Sequence, residues 1–459
     1  MTSLAQNLAS ALLVFALFTQ PVTAWAEENN APNFSVADIS KATILFEVKG
    51  SNTIGESLAP GLAEEFLRAE GAIRTGVVET HAVEKTVLGE FSDGSLKAVD
   101  IKAHGSSTGF DALNAQDTDI AMSSRRIKQS ERKHLKALYG DLKSVASELT
   151  IAVDGLAVVV HPRLEVNTLE TETLARIFAG DIRSWQEVGG PNLKISLFAR
   201  DDNSGTFDTF KSLVLDRHKV KLSEYAKRYE SSGELSDMVF NTPGAIGFIG
   251  LSYVNQNKPL ALSETGVALS FKPNLFTVST EDYVLSRRLY MYYPGNNQNS
   301  HARRFMQFVQ QDQAQAVVEN TGLISLKVND ATIRFNRNYP PRYLNMITDS
   351  KRLSITFHFD EGTDELDNKA KLDIQRLVNY IEHHQLSDLF LFGFTFESGN
   401  EENDRDDSKR LARIIADELE KAGVKPFYVQ GYGSKGAIAS NSTENGRNKN
   451  RRVEVWVGR

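Results

Sequence analysis

From Thr43 to about Val328 the chain alternates short apolar runs with segments of helical spacing, then the alternation stops and later restarts. Ile44-Leu45-Phe46-Glu47-Val48 precedes a helical pattern from Leu58 to Ala69. Leu156–Val160, Leu169–Phe178 and Ile195–Phe198 continue the theme. Such alternation predicts an α/β fold with short strands. Asp330 to Ser350, containing Asn336-Arg337-Asn338-Tyr339-Pro340-Pro341, has no clear period and reads as a linker. Beyond it the pattern predicts a strand at Leu353–Phe359, a helix at Asn368–His384, a strand at Leu389–Phe392, a helix at Ser408–Ala422, and strands at Phe427–Gly431 and Arg452–Val457. That β-α-β-α-β-β order spans enough chain for a compact domain of its own. With 459 residues, two or three domains are expected. The division is 43–328 for the first region, 329–352 for the linker and 353–459 for the last domain.

Composition narrows the function. A formal net charge of -7 argues against nucleic acid or acidic membranes as partners, without excluding a locally positive anion site. The absence of cysteine removes disulfides, thiolate metal sites, a cysteine nucleophile and a lipidated N-terminal cysteine. His104 and His161 lack metal-spaced partners and read as structural, so no metal and no cofactor is expected. Trp185 and Tyr283 read as packing residues. At the N-terminus, Ala9–Phe18 is apolar and Ala24-Trp25-Ala26 fits a small-x-small cleavage site, although no Lys or Arg precedes Lys41. Residues 1–26 are therefore expected to be a cleaved signal peptide, with an uncleaved anchor as the alternative, and 27–42 a polar lead-in.

Three segments share one chemical character: Gly50-Ser51-Asn52-Thr53-Ile54, Gly105-Ser106-Ser107-Thr108-Gly109 and Ser204-Gly205-Thr206. Each sits between a strand and a helix and is rich in glycine and hydroxyls. The free N–H groups and positive dipole end of a helix make an anion site, hydroxyls add donors, and glycine admits close approach. Arg200, four residues before Ser204, is the natural cation for a phosphate oxygen. Each loop taken singly could be a plain N-cap. Three together, one with an arginine at its base, favour anion binding. The chain lacks a Gly-x-Ser-x-Gly elbow, a His-Glu-x-x-His pair and a Gly-x-x-x-x-Gly-Lys loop, so it reads as a binder rather than an enzyme.

These loops, with Thr118–Arg125, Asp154–Val160, Phe178-Ala179-Gly180…Trp185, Arg200–Thr206 and Pro243-Gly244-Ala245-Ile246-Gly247, resemble the periplasmic phosphate-binding proteins of PstS type. The resemblance covers about 43–325. It implies a two-lobed periplasmic-binding-protein fold closing on inorganic phosphate or a related oxyanion, with an ABC permease as partner. By position, Thr53, the Ile54 amide, Ser107, Arg200, Ser204, Gly205 and Thr206 would contact the anion, with Ser106 and Ser124 beside them. Ser124 stands where the best-known members carry an aspartate that accepts the proton of hydrogen phosphate. A hydroxyl cannot exclude fully ionised oxyanions by repulsion, so selectivity stays open. Arg125 and Arg126 are either extra positive potential at the cleft or surface charge ahead of a helix; the second reading is favoured.

Residues 353–459 resemble the OmpA-like domain that binds peptidoglycan, through Ile355–Asp360, Gly393-Phe394-Thr395, Ala412…Ile415…Leu419, Gly431-Tyr432-Gly433-Ser434 and Asn450–Val455. The resemblance implies residence in the periplasm at the outer membrane or cell wall. Yet Phe396 and Leu411 occupy the positions of the family's ligand-holding aspartate and arginine. Arg410 is one residue, ~100°, around the helix from Leu411, and Glu397 is the nearest substitute carboxylate. The domain is therefore either a wall anchor with altered contacts or a protein-interaction or dimerisation unit. For the whole chain, the expected function is an envelope-held phosphate receptor; the alternative is an envelope adaptor with a vestigial cleft.

Overall fold

A computed structural model describes residues 34–458, apart from 82, 203, 334–338 and 361. The signal segment and residues 27–33 of the lead-in lie outside the described residues. The strand Glu148–Val160 is buried along all 13 residues and belongs to two halves at once. Its N-terminal part pairs antiparallel with Ser286–Tyr292, and its C-terminal part with Ala245–Gly250. A strand enclosed on both faces is expected to be continuously apolar, and Leu156-Ala157-Val158-Val159-Val160 is. The sheet runs Arg74–His81, Glu84–Glu90, Leu96–Lys102, Thr43–Gly50, Ile120–Ser123, Ser286–Tyr292, Glu148–Val160, Ala245–Gly250, Ser196–Arg200, Lys227–Tyr229.

Two apolar cores flank these central strands and define two lobes. The first gathers Phe46, Phe66, Met291 and Phe305. The second gathers Phe178, Trp185, Phe210 and Phe248, with the last two rings stacked at 3.9 Å. Each such side chain contributes roughly 1.5–3 kcal/mol by burial. Trp185 and Tyr283 are fully buried, and Trp185 Nε1 donates to Gly244 O at 2.9 Å. The sequence-based strands and helices of this region, and its α/β class, stand.

The C-terminal domain is a five-stranded sheet in the order Asp330–Ala331, Ser350–His358, Arg452–Gly458, Leu389–Phe394, Tyr428–Gly431. Helices Asn368–His384 and Glu401–Lys421 accompany it. Three details depart from the sequence reading. The second helix starts at Glu401, not Ser408, because Asn400 caps it by accepting from the amides of Glu402 and Asn403. A short helix, Glu444–Asn450, precedes the last strand, capped by Thr443, so the order is β-α-β-α-β-α-β. Parts of the expected linker are also folded. Asp330–Ala331 pairs with Arg352 and Leu353, and Pro341–Ile347 is a helix whose Tyr343, fully buried, meets Phe392, Phe394, Tyr432 and Trp456. The proline-rich stretch that suggested a break instead starts a helix, where a missing N–H costs nothing.

The domain docks on both lobes. Asp360 meets Arg126 Nη1 at 2.6 Å and Lys143 Nζ at 3.5 Å on the first lobe. Asn368 Nδ2 donates to Glu148 Oε1 at 3.0 Å and to Lys143 O at 2.8 Å. On the second lobe, Arg352 pairs with Asp282 at 2.5 Å, and the Ser440 amide donates to Glu264 Oε2 at 2.7 Å. Between them, Arg288 of the central strand pairs with Asp367 at 2.6 Å. Arg126 is thus neither loose surface charge nor cleft potential; it holds Glu148 and Asp360 together.

Candidate functional site

The three glycine–hydroxyl loops sit where the sequence reading put them, at the ends of Thr43–Gly50, Leu96–Lys102 and Ser196–Arg200. The first two share a corner of the first lobe. The Ser51 amide donates to Met122 O at 2.9 Å, and the Gly105 amide to Gly50 O at 2.7 Å. Gly50 has φ +134°, and a methyl group there would lie 2.1 Å from Met122 O, so this crossing requires glycine. Thr53 and Ile54 lie in the helix Asn52–Gly55, with Ile54 fully buried.

Ser106 and Ser124 are joined, hydroxyl to hydroxyl, at 3.1 Å, and the Ser124 amide also donates to Ser106 Oγ at 3.1 Å. Ser107 is exposed and accepts from Arg125 Nη2 at 3.1 Å, while Arg125 is anchored by Glu131. Arg125 therefore touches the second of the three loops, a contact that the surface-charge reading did not foresee.

The second lobe supplies Arg200, Ser204, Gly205 and Thr206. Ser204 caps the helix Gly205–Phe210 by accepting from the Thr206 amide at 3.2 Å. Thr53 Oγ1 donates across the cleft to Gly205 O at 3.3 Å. A methyl group on Gly205 would lie 2.8 Å from Thr53 Cα, so only glycine lets the two helix starts meet. Arg200 is 8% exposed; one guanidinium nitrogen donates to Ser232 Oγ, and its Nε, buried, has no partner among the described residues. Ser51 Oγ is also buried without one. Unsatisfied buried donors of this kind are costly unless something else satisfies them.

Two site residues escaped the sequence reading. Ser232 holds Arg200 from the start of helix Ser232–Asn241. Arg287, 9% exposed, reaches Thr53 Oγ1 at 2.7 Å, Asp154 Oδ2 at 3.2 Å, Asp208 Oδ2 at 3.4 Å and the Thr209 hydroxyl. It is a second cation beneath the cleft, from a strand that carries no motif. Two arginines inside the otherwise strand-like Ser286–Tyr292 were the available signal.

The C-terminal positions offer less. Leu411 is fully buried among Leu377, Ala412 and Ile415, and Phe396 is half-buried. Arg410 is engaged with Asp364 and Asp407. Glu397 is exposed, on the loop ahead of helix Glu401–Lys421.

Comparison with known proteins places these features. The PBP superfamily domain matches residues 82–313, and the OmpA family matches 358–451. The phosphate-binding protein PstS of Bacillus subtilis is 31% identical over 229 residues, 49% of this chain and 70% of the relative. The PstS of Borreliella burgdorferi is 27% identical over 230 residues, 49% of this chain and 78% of the relative. A solved structure described as a possible phosphate binding protein from Planctomyces limnophilus has a TM-score of 0.50 at 24% identity, covering 62% of this chain and 93% of its own, which shows the shared fold. With half of its length matched by one family and a PstS relative covered over most of its own, this chain belongs to the PBP superfamily, alongside the PstS-type phosphate-binding proteins, and carries an OmpA family domain at its C-terminal end.

Proposed function

We propose that the chain is a periplasmic binding protein for inorganic phosphate or an oxyanion of the same shape, without catalytic activity of its own. The observation that carries this reading is the meeting of the two lobes at Thr53 and Gly205, beside buried hydroxyls and an Arg200 whose Nε is unpartnered among the described residues. Backbone amides, hydroxyls and one guanidinium can surround a tetrahedral anion. Thr53, Ile54, Ser106, Ser107, Ser124, Arg200, Ser204, Gly205 and Thr206 are the proposed contacts. Delivery to an ABC permease or local sensing of phosphate are both compatible with this site. Titration of the 27–459 chain with phosphate by calorimetry tests the reading. Saturable heat, lost in Arg200→Ala, is expected; no heat at millimolar phosphate refutes it.

The OmpA family domain supports residence at the cell envelope. Leu411 and Phe396 supply neither a cation nor an anion for a stem-peptide group, so we favour a domain whose main contacts are with protein. Co-sedimentation of the full chain with purified sacculi separates the readings: retention at physiological salt would restore the wall-anchor reading.

A further inference from the structure

We propose that the C-terminal domain is a brace across the two lobes, holding them at the closed angle, so that its docking and occupancy of the anion cleft reinforce each other. The ligand in this proposal rests on the phosphate reading above; the brace rests on the interface alone.

The two lobes are joined through the central strands Glu148–Val160 and Ser286–Tyr292. Proteins of this build open and close by rotation about such strands, moving groups away from the hinge by several Å. The C-terminal domain grips both sides of that hinge. Asp360 and Asn368 hold the first lobe through Arg126, Lys143 and Glu148. Arg352 and the Ser440 amide hold the second through Asp282 and Glu264. Asp367 holds the hinge strand through Arg288.

These contacts are directional, and those to Asp282 and Glu148 are dry, whereas Asp360, Arg126 and Lys143 are partly exposed. The Arg352 and Asp282 side chains are 3% and 2% exposed, and Glu148 is 2% exposed. Hydrogen bonds fail beyond about 3.5 Å, and a buried charge deprived of its partner is strongly unfavourable. A rotation that separates the lobes must therefore break the grip on at least one of them. The lobes are closed here: Thr53 meets Gly205 O, and Arg287 spans Thr53 and Thr209. Docking and closure therefore accompany one another, and any anion that favours closure favours docking by the same factor.

The test cuts the polar first-lobe grip, leaving the apolar contact of Leu372 there and the whole second-lobe grip. In Asp360→Ala/Asn368→Ala, the Arg352–Asp282 pair remains and none of the proposed anion contacts is altered. The chain has no cysteine, so thiols introduced by Lys133→Cys and Asp237→Cys, on exposed positions of one helix in each lobe, take spin labels uniquely. The interlobe distance is read by electron–electron double resonance, and the Kd for phosphate by calorimetry. The parent chain should give one narrow distance with or without phosphate. The variant should broaden it without phosphate and recover it at saturation, with Kd raised three- to tenfold. Circular dichroism checks folding. Asn368→Asp, which sets a carboxylate against Glu148, gives the same test by repulsion if the double variant fails to fold. An unchanged distance overturns the brace, and broadening with unchanged Kd overturns the coupling. Broadening in a chain whose parent binds no phosphate leaves the brace standing and sinks the phosphate reading.

Discussion

Arg287 and Arg288 are neighbours on one strand and serve two different sites. Arg287 turns into the anion cleft and holds Thr53, while Arg288 turns the other way and pairs with Asp367 of the C-terminal domain. Alternation of side chains along a strand makes this possible. One peptide unit of the hinge is thus fixed from both faces.

Removing Arg287 should therefore act on stability and binding together. Asp154, 6% exposed, would lose its cation, and a broken buried pair costs about 3–5 kcal/mol. Arg287→Gln is expected to lower the stability read from urea unfolding by that order and to weaken phosphate binding about tenfold, roughly 1.4 kcal/mol. Adding Asp154→Asn should restore much of the stability but not the affinity, since Thr53 still lacks its donor. Recovery of both would mean that Arg287 does not position Thr53.

Gly205→Ala separates binding from folding differently. The added methyl would lie 2.8 Å from Thr53 Cα, which forces the two helix starts apart without opening either core. Calorimetry should show at least a tenfold loss of phosphate affinity, while the melting temperature moves by only a few degrees.

Ser124→Asp probes selectivity. A carboxylate at this buried position, beside Ser106, accepts the proton of hydrogen phosphate but repels sulfate, which carries no proton near neutral pH. The variant should lose sulfate competition at least tenfold while keeping phosphate, as read by displacement calorimetry. Equal sulfate binding in both chains would place Ser124 away from the anion.

Acid should weaken the fold through His358. Burial brings its pKa down to about 4; Glu281 and Asp367 oppose the shift, while Arg288 and Lys369 reinforce it. Its Nε2 has no hydrogen-bond partner among the described residues. The unfolded chain protonates this histidine near pH 6.5 and the folded chain only near 4, so stability is full above 6.5 and falls as pH drops between those values. The loss is about 3 kcal/mol. Urea unfolding from pH 7.5 to 4.5 should show this slope, and His358→Leu should flatten it. Asp367, whose pKa burial would raise but Arg288 and His358 bring down to about 2, adds a loss only below about pH 4.

The parts of the site that are legible in the sequence are local ones. A glycine with hydroxyls between a strand and a helix announces itself within five residues, so Thr53, Ser107 and Ser204 can be proposed as contacts without coordinates. Arg287 cannot, because its meaning lies in Thr53, which is 234 positions away. Arg126 is opaque for the same reason: the partner that explains it is Asp360, in another domain. Helix Asn368–His384 is legible to the residue, since its apolar face repeats and Asp367 caps it. Helix Pro341–Ile347 is hidden because two prolines outweigh Tyr343 and Ile347, whose spacing of four is the helical signal.

That helix has a consequence for reach. Were residues 329–349 a free tether, the two domains could separate by roughly 25 Å, the span of a random coil of that length. Instead Asp330–Ala331 is stitched to one edge of the C-terminal sheet and Tyr343 is sunk into its aromatic face. The cleft cannot swing about as a lure on a line. Whatever surface or protein the C-terminal domain holds, the cleft at Thr53 and Gly205 faces one direction relative to it, and the protein presents its cargo with a heading as well as an address.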